Sequence, residues 1–235
     1  MGLSHSPSIV TDGLVLCLDA VNPRGYNGAT TLYDLSGNNN TSLLQNGASV
    51  TSGYYSFDGS DDQIFISRTY PGSLSLTSNV TLEAWVNYRN TGYVGWMQVI
   101  DDLGGSPYTS YSMWLSDHSP SSGKFISSYD NGAWRHSSGK VYPNSWNHIV
   151  VSKQTNSANT YINTVFSGSI SYINLGGSGG DFTPETSQGT GIGRHPNNSG
   201  YPFNGYIGLP KIYNRALTAN EVRRNYLATK SRFGL

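Results

Sequence analysis

Along most of this chain, from residue 14 to residue 213, apolar side chains fall at every second position in short runs broken by turn residues. A period of two is the spacing of β-strands and sends alternate side chains to opposite faces of a sheet. Leu14, Leu16 and Leu18 alternate with Val15, Cys17 and Asp19, a first strand apolar on both faces. Tyr55 and Phe57, then Ile64 and Ile66, flank Asp58-Gly59-Ser60-Asp61-Asp62, which reads as two strands joined by a turn-rich loop. Val80, Leu82, Ala84 and Val86 alternate with Thr81, Glu83, Trp85 and Asn87. Tyr111, Met113 and Leu115 do so with Ser112, Trp114 and Ser116. Segments at Met97–Ile100, Phe125-Ile126, His148–Val151, Tyr161–Asn163 and Tyr206–Tyr213 extend the series. Gly-, Asn- and Ser-rich tracts separate them. The spacing predicts an all-β, two-sheet antiparallel sandwich, and 235 residues fit one such domain.

One helix stands out against this background. Thr218 followed by Glu221 is a capping box, and Leu217 and Val222 occupy the staple positions on either side of it. Val222, Tyr226 and Leu227 are its expected sandwich face, with Arg223, Arg224 and Lys230 toward water. The expected organisation is an N-terminal arm over 1–12, a sandwich over 13–217, and a helix and tail over 218–235 packed on the same domain. Gly176–Gly200 reads as a long surface loop, because the last strand still needs a sheet.

Composition removes several classes. Helical bundles and coiled coils are rich in Ala, Glu, Lys, Leu and Arg, and this chain has three glutamates. Disordered chains combine few aromatics with high net charge, whereas here aromatics are 12% and net charge is zero. The zero conceals a gradient: three basic and ten acidic residues lie before position 118, eleven basic and four acidic after it. That polarity suits an acidic partner or docking between copies of the chain, as well as a simple basic helix face. Nucleic acid is not expected, since a basic footprint raises the pI of a whole domain. No apolar run approaches the ~20 residues of a membrane-spanning helix. The start, Met1–Pro7, lacks the charged and apolar regions of a signal peptide, so synthesis in a cytoplasm is the expectation. Cys17, the one cysteine, sits in an apolar run as a buried thiol.

A glycosidase needs two carboxylates at a fixed separation, hence acids at i and i+2 or i+4 of one strand. Glu83 has no such neighbour, and Asp101-Asp102 are adjacent, so a strand would point them to opposite faces. A non-catalytic chain is expected. Asp58, Asp61 and Asp62 gather three carboxylates of the kind calcium prefers; the same segment also reads as an Asp/Gly turn bonding its own backbone. Otherwise no cofactor is expected. Sugars present an apolar C–H face and a rim of hydroxyls, which aromatic rings and amides match. Loop-context aromatics are Tyr93, Trp96, Tyr108, Tyr129, Trp134, Tyr201 and Phe203, and His195–Tyr201 joins a histidine and amides to a ring. Trp96, Tyr108, Tyr129, Trp134, His195, Asn197 and Tyr201 are the candidate carbohydrate contacts, with packing against the sandwich as the other reading of each ring.

Several segments, in order, resemble the laminin-G-like branch of the concanavalin A-like lectin/glucanase superfamily. They are Gly13–Ala20, Leu32–Asn40, Phe57–Asp62, Val80–Val86, Trp146–Val151, and Phe203–Gly208 running into Ile212–Thr218. The resemblance implies a jelly roll, with Trp85 and Trp146 as core anchors on facing strands. Catalytic members of the superfamily carry a Glu-rich strand that this chain lacks, so the resemblance implies a non-enzymatic member; some laminin-G-like members bind calcium at the sandwich rim. Ile9–Val15 and Asn225–Leu235 further resemble laminin-G-like proteins of tailed phages, which are virion components. That similarity implies a capsid decoration protein on the virion surface, with other virion proteins or copies of itself as partners. The alternative is an adhesin on a tail or fibre that binds host surface glycan.

Overall fold

The computed structural model describes residues 7–67, 71–89, 95–102, 110–116, 123–130, 133–171, 189–194 and 200–235. Sixteen strands form two antiparallel sheets among these residues, so the two-sheet jelly-roll sandwich with one short C-terminal helix is the observed fold. The first sheet runs β14 (Val165–Ser171), β13 (Ser157–Ile162), β12 (Asn147–Gln154), β7 (Val80–Tyr88), β16 (Asn204–Tyr213), β5 (Tyr54–Asp58), β4 (Ser49–Thr51). β1 (Leu14–Cys17) joins it along the far half of β16, beyond the half that pairs with β5. Between the halves a register shift at Gly208–Lys211 coincides with Leu209 at φ 48° and with Pro210, which has no N–H for a ladder. The second sheet runs β11 (Ala133–Val141), β10 (Lys124–Asp130), β9 (Ser112–Ser116), β8 (Met97–Asp101), β15 (Thr190–Ile192), β6 (Gln63–Ile66), β3 (Ser42–Gln45), β2 (Thr31–Leu32).

Between the sheets lies the main core. Leu82, Ala84 and Val86 of β7, Ile149 and Val151 of β12, and Ile207 of β16 meet Ile64, Ile66, Val99, Met113, Leu115, Ile126 and Ile192. The loop at Asp58–Asp62 carries the chain from β5 in one sheet to β6 in the other.

A second core covers the opposite face of the first sheet. Helix α1 (Ala219–Thr229) and a following 3-10 turn (Lys230–Phe233) press Val222 and Phe233 onto Trp85, Val150, Tyr161, Leu209 and Tyr213. The face of β7 that reads as polar, with Thr81, Glu83 and Trp85, is therefore fully buried. Trp85 and Trp146 anchor this second core rather than the sandwich. Trp85 lies on β7 and Trp146 immediately precedes β12, the neighbouring strand of the same sheet, with Phe233 against both rings at 4.2 and 4.9 Å between centroids. The capping box forms as the sequence specifies, Thr218 and Glu221 bonding each other's backbone N–H, and both staple residues are buried. The helix face differs: Asn225 and Thr229 are buried with Val222.

The charge gradient closes on itself in space. Arg215 pairs with Asp12 at 2.8 Å, Arg232 with Asp19 at 2.6 Å, and Lys211 with Glu83. Antiparallel pairing of β1 with β16 brings the acidic start of the chain against its basic end. No helix among the described residues is long and apolar enough to cross a membrane.

Candidate functional site: an aromatic face on the second sheet

Strand β9 sends Met113 and Leu115 into the sandwich core, so Trp114 and Ser116 stand on the face turned away from the first sheet. Register builds a row across that face: Gln98 opposite Trp114, Trp114 opposite Ser127, and Ser127 opposite His136. Trp134 projects from β11 two residues before His136, and Trp96 enters one residue ahead of β8. Ring centroids then form a connected chain. Tyr201 lies 5.7 Å from Trp114, Trp114 is 4.7 Å from Trp134, and Trp134 is 3.9 Å from Trp96. His136 lies 5.7 Å from Trp96 and 6.2 Å from Phe125, whose ring carries the Lys140 ammonium at 4.9 Å. With neighbouring strands about 4.8 Å apart, the four strands from β8 to β11 span roughly 14 Å.

Beneath the rings are hydroxyls. Ser127 Oγ lies 2.8 Å and Ser116 Oγ 3.2 Å from His136 Nδ1, and the two serines hydrogen-bond each other. Trp114 is 2% exposed and its Nε1–H has no hydrogen-bond partner, a donor the fold leaves unsatisfied. Tyr201 is held at φ 64°, a region disfavoured for any residue with a side chain, by the Gln98 N–H that donates to its carbonyl at 3.0 Å. The residue is 42% exposed. Strained backbone concentrates where a side chain must be presented.

Of the candidate carbohydrate contacts, the structure brings together Trp96, Trp134 and Tyr201. Trp134 is on a strand rather than in a loop, and Tyr129 belongs to β10 opposite it in register; the Tyr129 side chain, Tyr93, Tyr108, His195 and Asn197 lie outside the described residues. Phe203 is fully buried, its ring edge-on to Phe57 at 6.0 Å. Trp114, His136 and Phe125 are the members that sequence reasoning missed. The available signal was Trp114 itself, a large ring on the polar side of an alternating strand.

Carboxylates elsewhere are locked into the fold. Glu83 is fully buried beneath α1, bonded to His148 Nε2 at 2.8 Å, to Asn225 Nδ2 at 2.6 Å and to Lys211 Nζ. Burial alone would raise its carboxyl; the Lys211 ammonium and His148 overcome this and hold it at about 2. Asp102 accepts from Ser110 and from Thr190 Oγ1 at 2.7 Å. Burial pushes the Cys17 thiol up to about 12, so it is no nucleophile at neutral pH. The fit of calcium to the Asp58–Asp62 turn has two observations in its favour. Asp62 is 5% exposed with Oδ1 buried and without a partner, and Gly47 leaves room beside that oxygen where a Cβ would sit 2.7 Å away.

The laminin G-type model of the concanavalin A-like lectin/glucanases superfamily matches residues 57–223, spanning the sandwich and the start of the helix. The chain belongs to this superfamily. No curated protein matches it in sequence. Solved structures share its fold at low identity. The binding domain of Paraclostridial Mosquitocidal Protein 1 superposes with a TM-score of 0.64 at 18% identity, over 91% of this chain and 51% of that one. A Trypanosoma rangeli sialidase in complex with the inhibitor DANA gives 0.69 at 14%, over 97% and 36%. The ligand binding domain of botulinum neurotoxin serotype D, in complex with N-acetylneuraminic acid, gives 0.67 at 14%, over 92% and 51%. This superfamily member thus spans about half of each toxin domain and about a third of the sialidase.

Proposed function

We propose that the chain is a non-catalytic carbohydrate-binding module that lays a glycan along the aromatic face of its second sheet. The observation that carries this is the connected run of rings from Tyr201 to Phe125 over a bed of serine hydroxyls. Aromatic faces stack on the C–H side of a pyranose, while the buried Ser116 and Ser127 hydroxyls hold the half-buried His136 ring in place from beneath. Two of the similar structures are binding domains, one of them holding a sugar acid, which supports the same reading. The non-catalytic part rests on Glu83 being sealed under α1 and on Asp102 being tied up by hydroxyl donors.

A glycan array followed by calorimetric titration of the best hit tests it. Trp134→Ala and Tyr201→Ala are expected to weaken binding about tenfold each, equivalent to about 1.4 kcal/mol, with unchanged circular dichroism. Binding to no glycan, or affinity in both variants equal to that of the parent chain, overturns the proposal. The resemblance of the chain's two ends to virion proteins supports a place on a phage particle, as an adhesin of tail or fibre. Immunogold label at the tail is expected; label spread over the head favours capsid decoration. The decoration reading leaned on the opposed charges of the two halves, and Arg215–Asp12, Lys211–Glu83 and Arg232–Asp19 use much of that polarity inside the fold.

A further inference from the structure

We infer that Lys211 and Asn225 close a covalent amide cross-link inside the second core, with Glu83 as the residue that moves the protons. All three side chains are fully buried. Lys211 and Glu83 stand directly opposite each other on β16 and β7, and Asn225 comes down onto them from α1. One carboxylate therefore touches both reacting groups: Oε1 accepts from Lys211 Nζ, and Oε2 accepts from Asn225 Nδ2 at 2.6 Å. His148 Nε2, 2.8 Å from Oε1, holds that carboxylate in place. A lysine ammonium has three hydrogens to donate, yet among the described residues Lys211 Nζ finds only Glu83. The ion pair is the resting form. Passing one proton across its hydrogen bond leaves a neutral amine, the form in which a lysine is a nucleophile. Removing two charges from an apolar site offsets part of the cost of that transfer.

The amide is prepared as well. Asn225 Oδ1 accepts from the Val10 N–H at 2.7 Å, a donor placed to stabilise an oxyanion there. Nδ2 also donates to Tyr213 OH at 2.9 Å, and that hydroxyl donates to the Val10 carbonyl at 3.1 Å, which fixes the arm. The Nζ lone pair forms a bond to Asn225 Cγ while negative charge gathers on Oδ1. Glu83 gives the first proton to Nδ2, the Cγ–Nδ2 bond breaks, and ammonia leaves. A second Nζ proton then passes to Glu83, which ends neutral beside the new amide N–H. Nothing is oxidised or reduced, and no further reactant enters. Val10, β7, β16 and α1 meet only in the folded chain, so closure follows folding and pins the helix to β16. The Glu83–Lys211 ion pair, with the acid sensitivity it confers, belongs to the chain before closure. Sealing under α1 keeps Glu83 from outside substrates but not from these two neighbours.

Intact-mass spectrometry and a tryptic digest of the full folded chain test this, with no glycan present. The chain is expected to weigh one ammonia less than its sequence. The digest should yield a branched peptide that joins Lys211 to Asn225 and is uncut after Lys211. Glu83→Gln keeps the side-chain shape but cannot take the proton, so it should restore the full mass, as should Asn225→Ala. The branched peptide is read from the parent chain, so it is decisive even where a variant folds poorly. A folded parent chain at full sequence mass, cut normally after Lys211, overturns the inference. So does ammonia loss that persists in Glu83→Gln, or that maps to an asparagine without a branch. Neither readout depends on the aromatic face, so the result is independent of the glycan proposal.

Discussion

Glu83 and His148 show how much chemistry the fold keeps out of water. The imidazole is fully buried, with Nε2 on Glu83 and Nδ1 without a partner. Burial holds His148 below its ordinary 6.5, outweighing the pull of the Glu83 carboxylate, so it is neutral in the native state at neutral pH. The unfolded chain takes up a proton there as pH falls through 6.5 and the folded chain does not, so stability declines below that value. Glu83 adds a second step. Its folded carboxyl stays ionised to about 2 while the unfolded one protonates near 4.5, and the stability contributed by its ion pair is lost below 4.5. Melting temperature is therefore expected to be flat above pH 7, to decline as pH falls below 6.5, and to fall further below 4.5. His148→Gln should flatten the first step only. A melting curve constant from pH 7 to pH 5 in the parent protein would contradict this account.

Elements differ in how openly they announce themselves. Helix α1 was legible because its signals are local: cap, box and staple fall within six consecutive residues, Leu217–Val222, and need no partner to be recognised. Thr218→Ala is expected to cost about 1 kcal/mol of stability, measured by denaturant unfolding, by removing the acceptor of the Glu221 N–H. An unchanged midpoint would show that the Arg215–Glu221 pair at 2.6 Å holds the helix start alone. Strand β11 was illegible for the opposite reason. Ala-Trp-Arg-His-Ser-Ser-Gly-Lys-Val has no apolar alternation, because an edge strand needs few core contacts and one of its faces carries Trp134 and His136. A strand central to the proposed site thus looks like a loop in sequence. The buried Asn225 and Thr229 on α1 were hidden similarly: Asn225 reaches Glu83 and Tyr213 OH, and Thr229 accepts from Trp85 Nε1, partners distant along the chain.

At the scale of the whole molecule, period and length were enough for the sandwich, since every second residue of β7, β9 and β12 has to go inside. The second core was not readable. A face of Thr81, Glu83 and Trp85 looks solvated until a helix from residues 219–229 is laid over it. The charge gradient was visible along the chain, but its meaning required knowing that β1 lies beside β16. That neighbourhood carries a prediction. Chains ending at residue 203 lose β16 and with it the partner of β1, β5 and β7. They are expected to show no cooperative thermal transition by calorimetry, and a sharp transition in such a chain would refute the dependence.

β16, an interior strand of the first sheet with β7 and β5 on either side, is the last in order of synthesis of the sixteen strands among the described residues. A ribosome that has delivered β1, β5 and β7 holds three strands whose shared neighbour does not yet exist. Distant pairings of this sort make folding slow, in the millisecond to second range typical of all-β domains. Until residues 204–213 emerge, open strand edges in the nascent chain offer themselves to other nascent chains. Crowded expression therefore favours misassembly during translation, and slower initiation or a holdase chaperone should recover more folded protein than any change to the finished surface.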